Sequence, residues 1–319
     1  MKRRDFIKAA AVATPVISLF PAELSAIIRR SSPGIIEKRS LGKTGIMLSI
    51  IGFGGIVVKD ATHEEASAVV KLAIDKGVNY FDIAPSYGDA EIKLGPALEP
   101  YRKNVFLACK TQQRTRDEAY AELGQSLQNL RTDHFDLYQL HAVTTLEEVN
   151  RIFKPGGAIE AFLEAREKGK IRFIGFSAHS VEAAMALMDR FDFDTILFPI
   201  NFACWHAGNF GPQVLARAHE KEMGILALKA MVRGPWPQGA DRTIYPKCWY
   251  EPLAEHDDAL TGLRFTLSHP VTAAIPPGEG KLFRLALTLS DQLQPLDEAE
   301  INTIKQKALK TKPLFSFGE

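Results

Sequence analysis

The stretch Gly77-Val-Asn-Tyr-Phe-Asp82 is a short, largely apolar run that ends in an acid. A second run, Asn104-Val-Phe-Leu-Ala-Cys-Lys110, ends in a base. In both runs most apolar side chains are consecutive rather than alternating with polar ones. Such runs are typical of strands in a parallel sheet whose two faces are both covered. We therefore expect two buried neighbouring strands with polar side chains at their carboxyl ends.

Six further apolar runs repeat this pattern, and helix-forming stretches lie between many of them. Thr62-His-Glu-Glu65 is a capping box at the start of an amphipathic segment, and Thr115-Arg-Asp-Glu118 is predicted to cap the next helix. Further helices are predicted over residues 157–168, from Ser180, and over residues 212–222 and 257–268. Strands that alternate with helices favour a parallel sheet, and eight such units favour a sheet that closes on itself. The sequence therefore predicts an α/β fold, a (β/α)8 TIM barrel, with strands over residues 48–52, 77–82, 104–109, 135–140, 171–176, 195–200, 224–228 and 271–275.

A doubly wound open sheet is the alternative fold with the same alternation of strands and helices. Its first strand is usually followed by Gly-x-Gly-x-x-Gly, whereas the first turn here, Gly52-Phe-Gly-Gly55, lacks the third spaced glycine. Because no Pro-, Gly- or Ser-rich linker interrupts the middle of the chain, residues 27–319 are predicted to form one domain. The irregular stretch 231–252, rich in Trp, Tyr and Pro, is predicted to be an active-site loop.

The 319 residues carry a formal net charge of +1, and acidic and basic residues are spread along the chain. Nucleic acids and anionic membranes bind clustered basic surfaces, so neither is expected as a partner. The three cysteines are too few for a disulfide framework or a zinc ribbon, and no metal is expected. Two alternatives stay open: Cys204-Trp-His206 as part of a metal site, and a disulfide between Cys204 and Cys248.

The N-terminus differs from the rest of the chain. Lys2-Arg3-Arg4-Asp5-Phe6-Ile7-Lys8 precedes an uncharged run over residues 9–20, which is too short to span about 30 Å of hydrocarbon as a helix. A basic start, a short apolar run and the small pair Ser25-Ala26 are typical of an export signal, and the paired arginines resemble a twin-arginine signal. We expect residues 1–26 to direct export through the twin-arginine machinery to the periplasm, with cleavage after Ala26 left open. The alternative is an amphipathic helix packed on the body, and the lack of a lipobox cysteine argues against a lipid anchor.

Polar side chains stand at the ends of successive predicted strands. Asp82 ends the second strand, Lys110 the third and His141 the fourth, while Ser177 follows the fifth and Tyr87 lies just beyond Asp82. Each residue alone has an ordinary structural interpretation, as a turn residue, a surface lysine or a satisfied histidine. In a barrel, however, the carboxyl ends of the strands converge on one face, where active sites form. We therefore expect an active site at this face, with Asp82, Tyr87, Lys110 and His141 as its catalytic residues.

The chemistry that suits these residues is acid catalysis on a carbonyl. A free tyrosine has a pKa of about 10, which is high for work near neutral pH, and a neighbouring cation lowers it. We expect Lys110 to supply that cation and Asp82 to hold Lys110 in an ion pair. His141 would orient the carbonyl oxygen or share a proton with Tyr87, and a reduced nicotinamide would supply hydride.

Several motifs resemble those of the aldo-keto reductases. Phe81-Asp-Ile-Ala-Pro-Ser-Tyr-Gly88, followed by Glu91 and Leu94-Gly95, is similar to the family signature. The resemblance extends from about residue 35 to a predicted helix over residues 297–310. Three further segments follow the family order: Arg39-Ser-Leu-Gly-Lys-Thr-Gly45, which resembles the hairpin that closes the barrel floor, Asp136-Leu-Tyr-Gln-Leu-His141 and Gly175-Phe-Ser177.

The resemblance implies a catalytic tetrad of Asp82, Tyr87, Lys110 and His141, with Tyr87 as the proton donor. It further implies that the barrel binds NADP, with NAD as the alternative, and reduces an aldehyde, ketone or sugar-like substrate or runs the reverse reaction. The residues that it assigns to the cofactor are Ser177 and Asn201 at the nicotinamide amide, Gly54 and Gly55 at a close backbone approach, Lys229 and Arg233 near the pyrophosphate, and Lys281 and Arg284 near the adenosine phosphate.

Three features depart from the family pattern. Ala178 stands where the family commonly has Asn, Phe202 is one position away from the expected aromatic neighbour of the nicotinamide, and residues 276–284 lack the usual Glu-Asn pair. A non-catalytic nicotinamide-binding subunit is the alternative function, and a sugar-binding barrel without cofactor is a third. The three tryptophans either wall a pocket for a sugar or another flat ligand or pack within loops; they are Trp205, Trp236 and Trp249.

Overall fold

The structure, a computed structural model, describes residues 34–318. The export signal predicted for residues 1–26, its cleavage and its alternative as a packed helix lie outside the described residues. The strands of the described part are β1 Lys38–Ser40, β2 Met47–Ser49, β3 Phe53–Gly54, β4 Tyr80–Asp82, β5 Phe106–Thr111, β6 Phe135–Val143, β7 Ile171–Ala178, β8 Thr195–Pro199, β9 Gly224–Leu228, β10 Val232–Gly234, β11 Glu251–Pro252 and β12 Ala273–Ile275. Its α-helices are α1 His63–Asp75, α2 Ala90–Leu98, α3 Arg116–Asn129, α4 Leu146–Phe153, α5 Ala158–Glu167, α6 Val181–Arg190, α7 Phe202–His206, α8 Pro212–Glu220, α9 His256–Leu267, α10 Gly280–Leu289 and α11 Glu298–Ala308.

Eight of these strands form one parallel sheet in the order β12-β9-β8-β7-β6-β5-β4-β3. The two ends of that order meet through a parallel bridge between Ile51 and Ala274. There the Gly52 N–H donates to the Ala274 carbonyl at 3.0 Å, and the Ala274 N–H donates to the Ile50 carbonyl at 2.8 Å. The sheet therefore closes on itself, which confirms the predicted (β/α)8 TIM barrel.

The first predicted strand, residues 48–52, is divided between two structures. β2 pairs antiparallel with β1, and the first barrel strand, β3, begins only at Phe53. Leu41 and Leu48 are fully buried in a cluster of side chains from six barrel strands, among them Tyr80 and Phe106. The predicted position of the first strand was therefore wrong for residues 48–49, which pair in the hairpin at the barrel floor, whereas residues 50–52 bond to the last barrel strand. The hairpin expected there is present.

The sequence predicted capping motifs at the starts of α1 and α3. At α1 the Glu65 N–H donates to Thr62 Oγ1 at 3.1 Å, and the Thr62 N–H donates to Glu65 Oε2 at 2.8 Å, which confirms the capping box. At α3 the Thr115 hydroxyl donates to the Glu118 carboxylate and does not cap the backbone. The helix begins at the expected place, but the expected box at Thr115 was wrong.

Four helices, α2, α4, α7 and α10, were not predicted. α2 contains Gly95 and Pro96, which are poor helix formers. A Cβ at Gly95 would lie 2.4 Å from the Asn129 carbonyl oxygen. Close packing of α2 against α3 thus requires a residue that weakens the local helix signal.

The stretch 231–252 is irregular, as predicted, except where β10 and β11 pair antiparallel near its two ends. Residues 235–250 therefore form a loop that leaves and returns beside the carboxyl end of β9. Lys247 ties this loop to the turn after β3, because its Nζ donates to the carbonyl oxygens of Val57 at 3.1 Å and Lys59 at 2.6 Å. The loop is thereby held across the carboxyl face of the barrel.

Candidate active site

Asp82 and Lys110 form a buried ion pair at the carboxyl ends of neighbouring strands. Asp82 is the last residue of β4, and Lys110 lies near the end of β5. Lys110 Nζ donates to Asp82 Oδ1 and, at 3.1 Å, to the Ile83 carbonyl oxygen. The Lys110 side chain is fully buried, and the Asp82 side chain is 3% exposed. Because buried charges must be paired and hydrogen-bonded, each residue fixes the position of the other.

The second oxygen of Asp82 is held by two residues that the sequence did not single out. The Tyr80 hydroxyl donates to Asp82 Oδ2 at 3.2 Å, and Gln139 Nε2 donates to the same oxygen at 3.1 Å. Burial raises the pKa of Tyr80 well above its ordinary value, so its hydroxyl stays a donor. Tyr80 precedes Asp82 by two positions on β4, and residues two apart on a strand share a face. This spacing of two residues is the sequence feature from which the contact of Tyr80 with Asp82 could have been predicted.

Tyr87 stands beside the ion pair on the short turn Pro85–Tyr87 after β4. Its hydroxyl oxygen lies 3.3 Å from Lys110 Nζ, which donates to it. Gly88, the next residue, has a φ of 66°, in the left-handed region that favours glycine. The turn thus brings the tyrosine back over the strand ends, and the predicted contact with Lys110 is present.

The environment of Tyr87 shifts its pKa in the direction opposite to the expected one. Burial raises the pKa of Tyr87, the Lys110 ammonium lowers it and the Asp82 carboxylate raises it, with a net result above the ordinary value. The expected lowering was wrong, because desolvation outweighs a cation whose charge is already shared with Asp82. Tyr87 therefore keeps its proton at neutral pH, as a proton donor must.

Lys110 keeps its charge in the same environment. Burial lowers the pKa of Lys110, but the attraction of Asp82, helped by Tyr87, outweighs burial and leaves the pKa above its ordinary value. A permanent positive charge therefore lies next to the oxygen from which Tyr87 would release its proton.

His141 occupies an irregular stretch at the end of β6, where the register with β7 shifts. The following residue, Ala142, has a φ of 52°, and its N–H donates to Ser177 Oγ at 2.7 Å. Arg114 Nη2 donates to the His141 carbonyl oxygen at 2.7 Å. These contacts fix the backbone so that the imidazole meets the Tyr87 ring edge-on, with centroids 5.7 Å apart.

The His141 imidazole is neutral at neutral pH. Burial, followed by the charge of Lys110, holds the pKa of His141 well below its ordinary value. In a neutral imidazole one ring nitrogen donates and the other accepts, depending on the tautomer. Nδ1 lies 3.4 Å from the Ser86 hydroxyl oxygen. Nε2 is therefore the atom that His141 can offer to a ligand.

The two predicted nicotinamide contacts, Ser177 and Asn201, stand at the ends of β7 and β8. Asn201 is fully buried and caps α7, because its Oδ1 accepts the Cys204 N–H at 2.9 Å. Its Nδ2 has no hydrogen-bond partner among residues 34–318. A buried amide without a partner costs about 1–3 kcal/mol. Asn201 is thus suited to donate to a ligand such as a carboxamide.

Lys229, predicted near the pyrophosphate, directly follows β9 with a φ of 69°. Its Nζ lies 5.2 Å from the centroid of Trp249 and 4.8 Å from that of Tyr250. Burial lowers the pKa of Lys229 to about 8. No carboxylate of the described chain pairs with it, so an anionic ligand would supply the counter-charge that this partly buried amine lacks.

The other basic residues predicted to contact the cofactor differ in their surroundings. Arg233 pairs with Glu251 at 3.3 Å and with Asp258 at 2.6 Å, so two carboxylates already hold its guanidinium. Lys281 and Arg284 are exposed one turn apart on α10, and neither pairs with an acid within residues 34–318. Two cations on one helix face suit a phosphate group. Together with the Asn201 amide and Lys229, this pair fits a phosphorylated nicotinamide dinucleotide.

Packing within the barrel is sufficient to explain why residues 54 and 55 are glycines. A Cβ at Gly54 would lie 2.9 Å from Ile275 Cγ2, and a Cβ at Gly55 would lie 2.0 Å from Ile83 Cδ1. Side chains at these positions would therefore collide with the barrel itself. Their contact with a cofactor stays a prediction.

Two aromatic residues near Asn201 pack away from the tetrad. Phe202 is buried edge-on to Phe265, with centroids 6.2 Å apart, and Trp205 lies 4.1 Å from the His269 ring. Trp236 Nε1 donates to a backbone carbonyl at 2.9 Å within its own loop. For Trp205 and Trp236, loop packing is thus the interpretation that the contacts favour.

The cysteines were assigned two alternative roles. Cys109, Cys204 and Cys248 are buried free thiols, so the disulfide between Cys204 and Cys248 is not formed. Within residues 34–318, no three His, Cys, Asp or Glu side chains are grouped so as to hold a metal ion.

Among the helices of residues 34–318, none has the length and apolar character needed to cross a membrane.

A cavity of about 380 Å³, here called the Tyr87 cavity, opens beside Tyr87, the one tetrad residue among residues 34–318 that lines it. Its size lies in the range of small-molecule sites, about 300–1,000 Å³. Ser86 and Tyr87 line one side of it, and the loop 235–250, including Trp249, lines the other. A small carbonyl compound in this cavity would lie beside Tyr87.

Comparison with known proteins places this geometry in a wider context. Residues 50–247 match the model of the aldo/keto reductase family. The chain is 33% identical over 169 residues to the aldo-keto reductase YhdN of Bacillus subtilis, a match that covers 46% of this chain and 48% of that protein. It is 26% identical over 218 residues to L-galactose dehydrogenase of Arabidopsis thaliana, covering 62% of this chain and 66% of that enzyme. The matches thus span about half of the first relative and about two thirds of the second.

Among solved structures, an aldo-keto reductase from Klebsiella pneumoniae in complex with NADPH has a TM-score of 0.66 to this chain. The sequences are 20% identical, and the match covers 89% of this chain and all of the other. At this identity the likeness supports the barrel fold.

Proposed function

Because the chain belongs to the aldo/keto reductase family, we propose that it is an NAD(P)H-dependent oxidoreductase of carbonyl compounds. It reduces an aldehyde, ketone or sugar-like carbonyl to an alcohol or runs the reverse reaction. One observation carries the proposal: a buried Asp82–Lys110 ion pair contacts the hydroxyl of a protonated tyrosine at the edge of a cavity. This arrangement supplies a proton donor and stabilises the charge left after the proton has gone.

Tyr87 is the general acid in the direction of reduction. Its O–H bond breaks as a new O–H bond forms on the former carbonyl oxygen, which leaves a phenolate on Tyr87. Lys110 lies 3.3 Å from that oxygen and stabilises the phenolate. Asp82 and the Ile83 carbonyl hold the ammonium in place, so little reorganisation is needed as the charge develops.

His141 positions the substrate. The neutral imidazole stands edge-on to Tyr87, and Nε2 is the ring atom that faces no described protein partner. In the tautomer that protonates Nε2, His141 donates a hydrogen bond to the carbonyl oxygen that also receives the proton of Tyr87. Two donors on one oxygen orient the carbonyl and polarise its bond.

The cofactor that we propose is NADP, with NAD as the alternative. NADPH, when bound, supplies the hydride that the carbonyl carbon accepts. Asn201 and Ser177 would hold the amide, Lys229 the pyrophosphate, and Lys281 with Arg284 the additional phosphate. The Klebsiella pneumoniae structure in complex with NADPH supports this choice. A lower Kd for NADPH than for NADH, with the difference lost in Arg284→Gln, is the expected result, and equal affinities would contradict it.

The enzyme proposal is tested by incubating the full chain with NADPH and a panel of aldehydes, ketones and oxidised sugars. We expect NADPH consumption with at least one class, together with the matching alcohol as product. Tight NADPH binding without any turnover would contradict the proposal and favour a cofactor-binding subunit.

We further propose that residues 1–26 direct export of the folded protein through the twin-arginine pathway. The support is the pair Arg3-Arg4 before a short apolar run. Because that pathway carries folded proteins, the cofactor would be loaded before export. Arg3→Lys with Arg4→Lys should keep the protein in the cytoplasmic fraction while NADPH binding is unchanged. Export of this variant at the wild-type level would contradict the proposal.

A further inference from the structure

The Tyr87 cavity has an uneven distribution of charge. Lys59, Arg242 and Lys247 line it, and no acidic side chain of residues 34–318 does. The rest of the wall is largely apolar, including Ile56 and Trp249. A cavity that gathers cations beside a proposed proton donor would attract a ligand with an anionic group.

Arg242 is the cation best placed to contact such a group. Its side chain is exposed and forms no ion pair or side-chain hydrogen bond with the described residues. The neighbouring Asp241 forms no ion pair with Arg242 among residues 34–318, and its Oδ1 accepts from the Thr243 N–H at 2.8 Å and the Thr243 hydroxyl at 2.6 Å. The guanidinium, with its planar set of donors, is thus available for a carboxylate or phosphate.

The other two cations retain their charge at the cavity wall. Lys247 donates to the carbonyl oxygens of Val57 and Lys59, which hold the ammonium in place but do not neutralise it. Glu279 accepts the Lys247 backbone N–H at 2.5 Å but is not part of the cavity wall. Lys59 has only a long, exposed contact with Asp60, at 3.9 Å. Such exposed pairs are weak, so three cationic side chains face the cavity and no carboxylate of residues 34–318 lines it.

The position of the cavity separates it from the proposed cofactor contacts. Its wall includes Ser86 and Tyr87 but none of the residues assigned to the cofactor. Trp249 borders the cavity and also lies 5.2 Å from Lys229 Nζ, so this indole stands between the two regions. The cations of the cavity are therefore available to a substrate bound beside Tyr87.

Building on the proposed function, we propose that the Tyr87 cavity selects carbonyl substrates that carry a carboxylate or phosphate group, with Arg242 as the residue that binds this anion. The carbonyl lies at Tyr87 and His141, and the anionic end points toward the loop 235–250. Lys59 and Lys247 contribute longer-range attraction. Trp249 covers the apolar body of the substrate.

Matched aldehydes test this selectivity with the full chain and NADPH. The first pair is 4-carboxybenzaldehyde and its methyl ester, and the second is glyceraldehyde 3-phosphate and glyceraldehyde. We expect kcat/KM to be at least about tenfold higher for the charged member of one pair, as a charge-assisted hydrogen bond provides. A preference within the first pair identifies a carboxylate as the recognised group, and a preference within the second pair identifies a phosphate. Equal or lower values for both charged members would overturn the inference while leaving the carbonyl reductase proposal intact.

Arg242→Gln identifies the residue responsible. It should lower kcat/KM for the preferred charged aldehyde about tenfold, mainly through KM, and change the neutral aldehyde by less than about twofold. Arg242→Lys, which keeps the charge, should restore part of the loss. Arg131→Gln makes the same change on an exposed arginine before β6, at the opposite end of the barrel, and should have no effect. An equal loss for charged and neutral aldehydes, or a weaker Kd for NADPH, would overturn the assignment.

Binding tests the inference separately from catalysis. Calorimetry on protein saturated with NADP⁺, which does not reduce the aldehyde, gives the Kd of 4-carboxybenzaldehyde, its methyl ester and the two glyceraldehydes. Tighter binding of a charged member that is lost in Arg242→Gln supports the inference even if the protein reduces none of these compounds. Equal binding of charged and neutral members would overturn it.

Discussion

Replacing Lys110 with Met removes the cation that lies 3.3 Å from the Tyr87 hydroxyl oxygen, while it keeps much of the side-chain volume. When Tyr87 releases its proton, the phenolate then faces an apolar thioether instead of an ammonium. The Asp82 carboxylate, without its partner, also repels the phenolate. We therefore expect Lys110→Met to slow proton transfer although Tyr87 itself is unchanged.

The magnitude follows from the distance. Two unit charges 3.3 Å apart attract by about 5 kcal/mol at an effective dielectric constant of about 20. This attraction arises only as the phenolate forms, so it lowers the barrier more than it binds substrate. Since about 1.4 kcal/mol corresponds to a tenfold change in rate, kcat should fall by about 10³-fold or more. Breaking the buried pair should also lower the free energy of unfolding by about 3–5 kcal/mol.

Single-turnover oxidation of bound NADPH by an aldehyde measures the rate, and urea unfolding measures how much of the variant is folded in the assay. The double variant Asp82→Asn Lys110→Met removes both charges. It should regain much of the lost stability, because no buried charge is left unpaired, and should still be slow. A folded Lys110→Met protein that binds NADPH and keeps its rate within about tenfold of the wild type would refute the reasoning.

Three further predictions rest on the same site and its surroundings. Because the pKa of Tyr87 lies above its ordinary value, alcohol oxidation, which needs the phenolate, should rise about tenfold per pH unit through neutral pH; a plateau below pH ~8 would contradict this. Burial lowers the pKa of His269 to about 4, so as the pH falls the unfolded chain protonates this imidazole before the folded protein does. Urea unfolding should therefore show a loss of up to about 3 kcal/mol in the free energy of unfolding between pH ~6.5 and ~4. His269→Gln should reduce this loss, and the same dependence of stability on pH in the variant would contradict the prediction. Asn201→Ala should weaken NADPH binding about tenfold by fluorescence titration, whereas Asn209→Ala should not, and equal effects would argue against the amide contact.

The positions of Asp82, Lys110 and His141 were predictable from the sequence because each follows a continuous apolar run. Strand ends in a barrel share one face, so local patterns were sufficient to place these side chains near one another. The pKa of Tyr87 was not predictable in the same way. Its direction depends on how far burial outweighs Lys110, and burial is a property of the assembled barrel.

Contacts between distant parts of the chain account for what the sequence did not show. Arg233 pairs with Asp258, 25 residues later, a contact that the local sequence does not indicate. Gln139 supports Asp82 from 57 residues away. Leu48 packs against side chains from distant barrel strands at the barrel floor, so it belongs to the hairpin and not to the first barrel strand. In each case the partner, and not the local pattern, decides the role of the residue.

Tyr87→Phe tests the central claim most directly, because it removes one hydroxyl and leaves the ring in place. Stopped-flow measurement of aldehyde reduction on NADPH-loaded protein should show a loss of about 10²–10⁴-fold, with the Kd for NADPH unchanged. Tyr120→Phe removes a hydroxyl from α3, away from the tetrad, and should keep the full rate. Full activity of Tyr87→Phe would contradict the assignment of Tyr87 as the proton donor and, with it, the proposed mechanism.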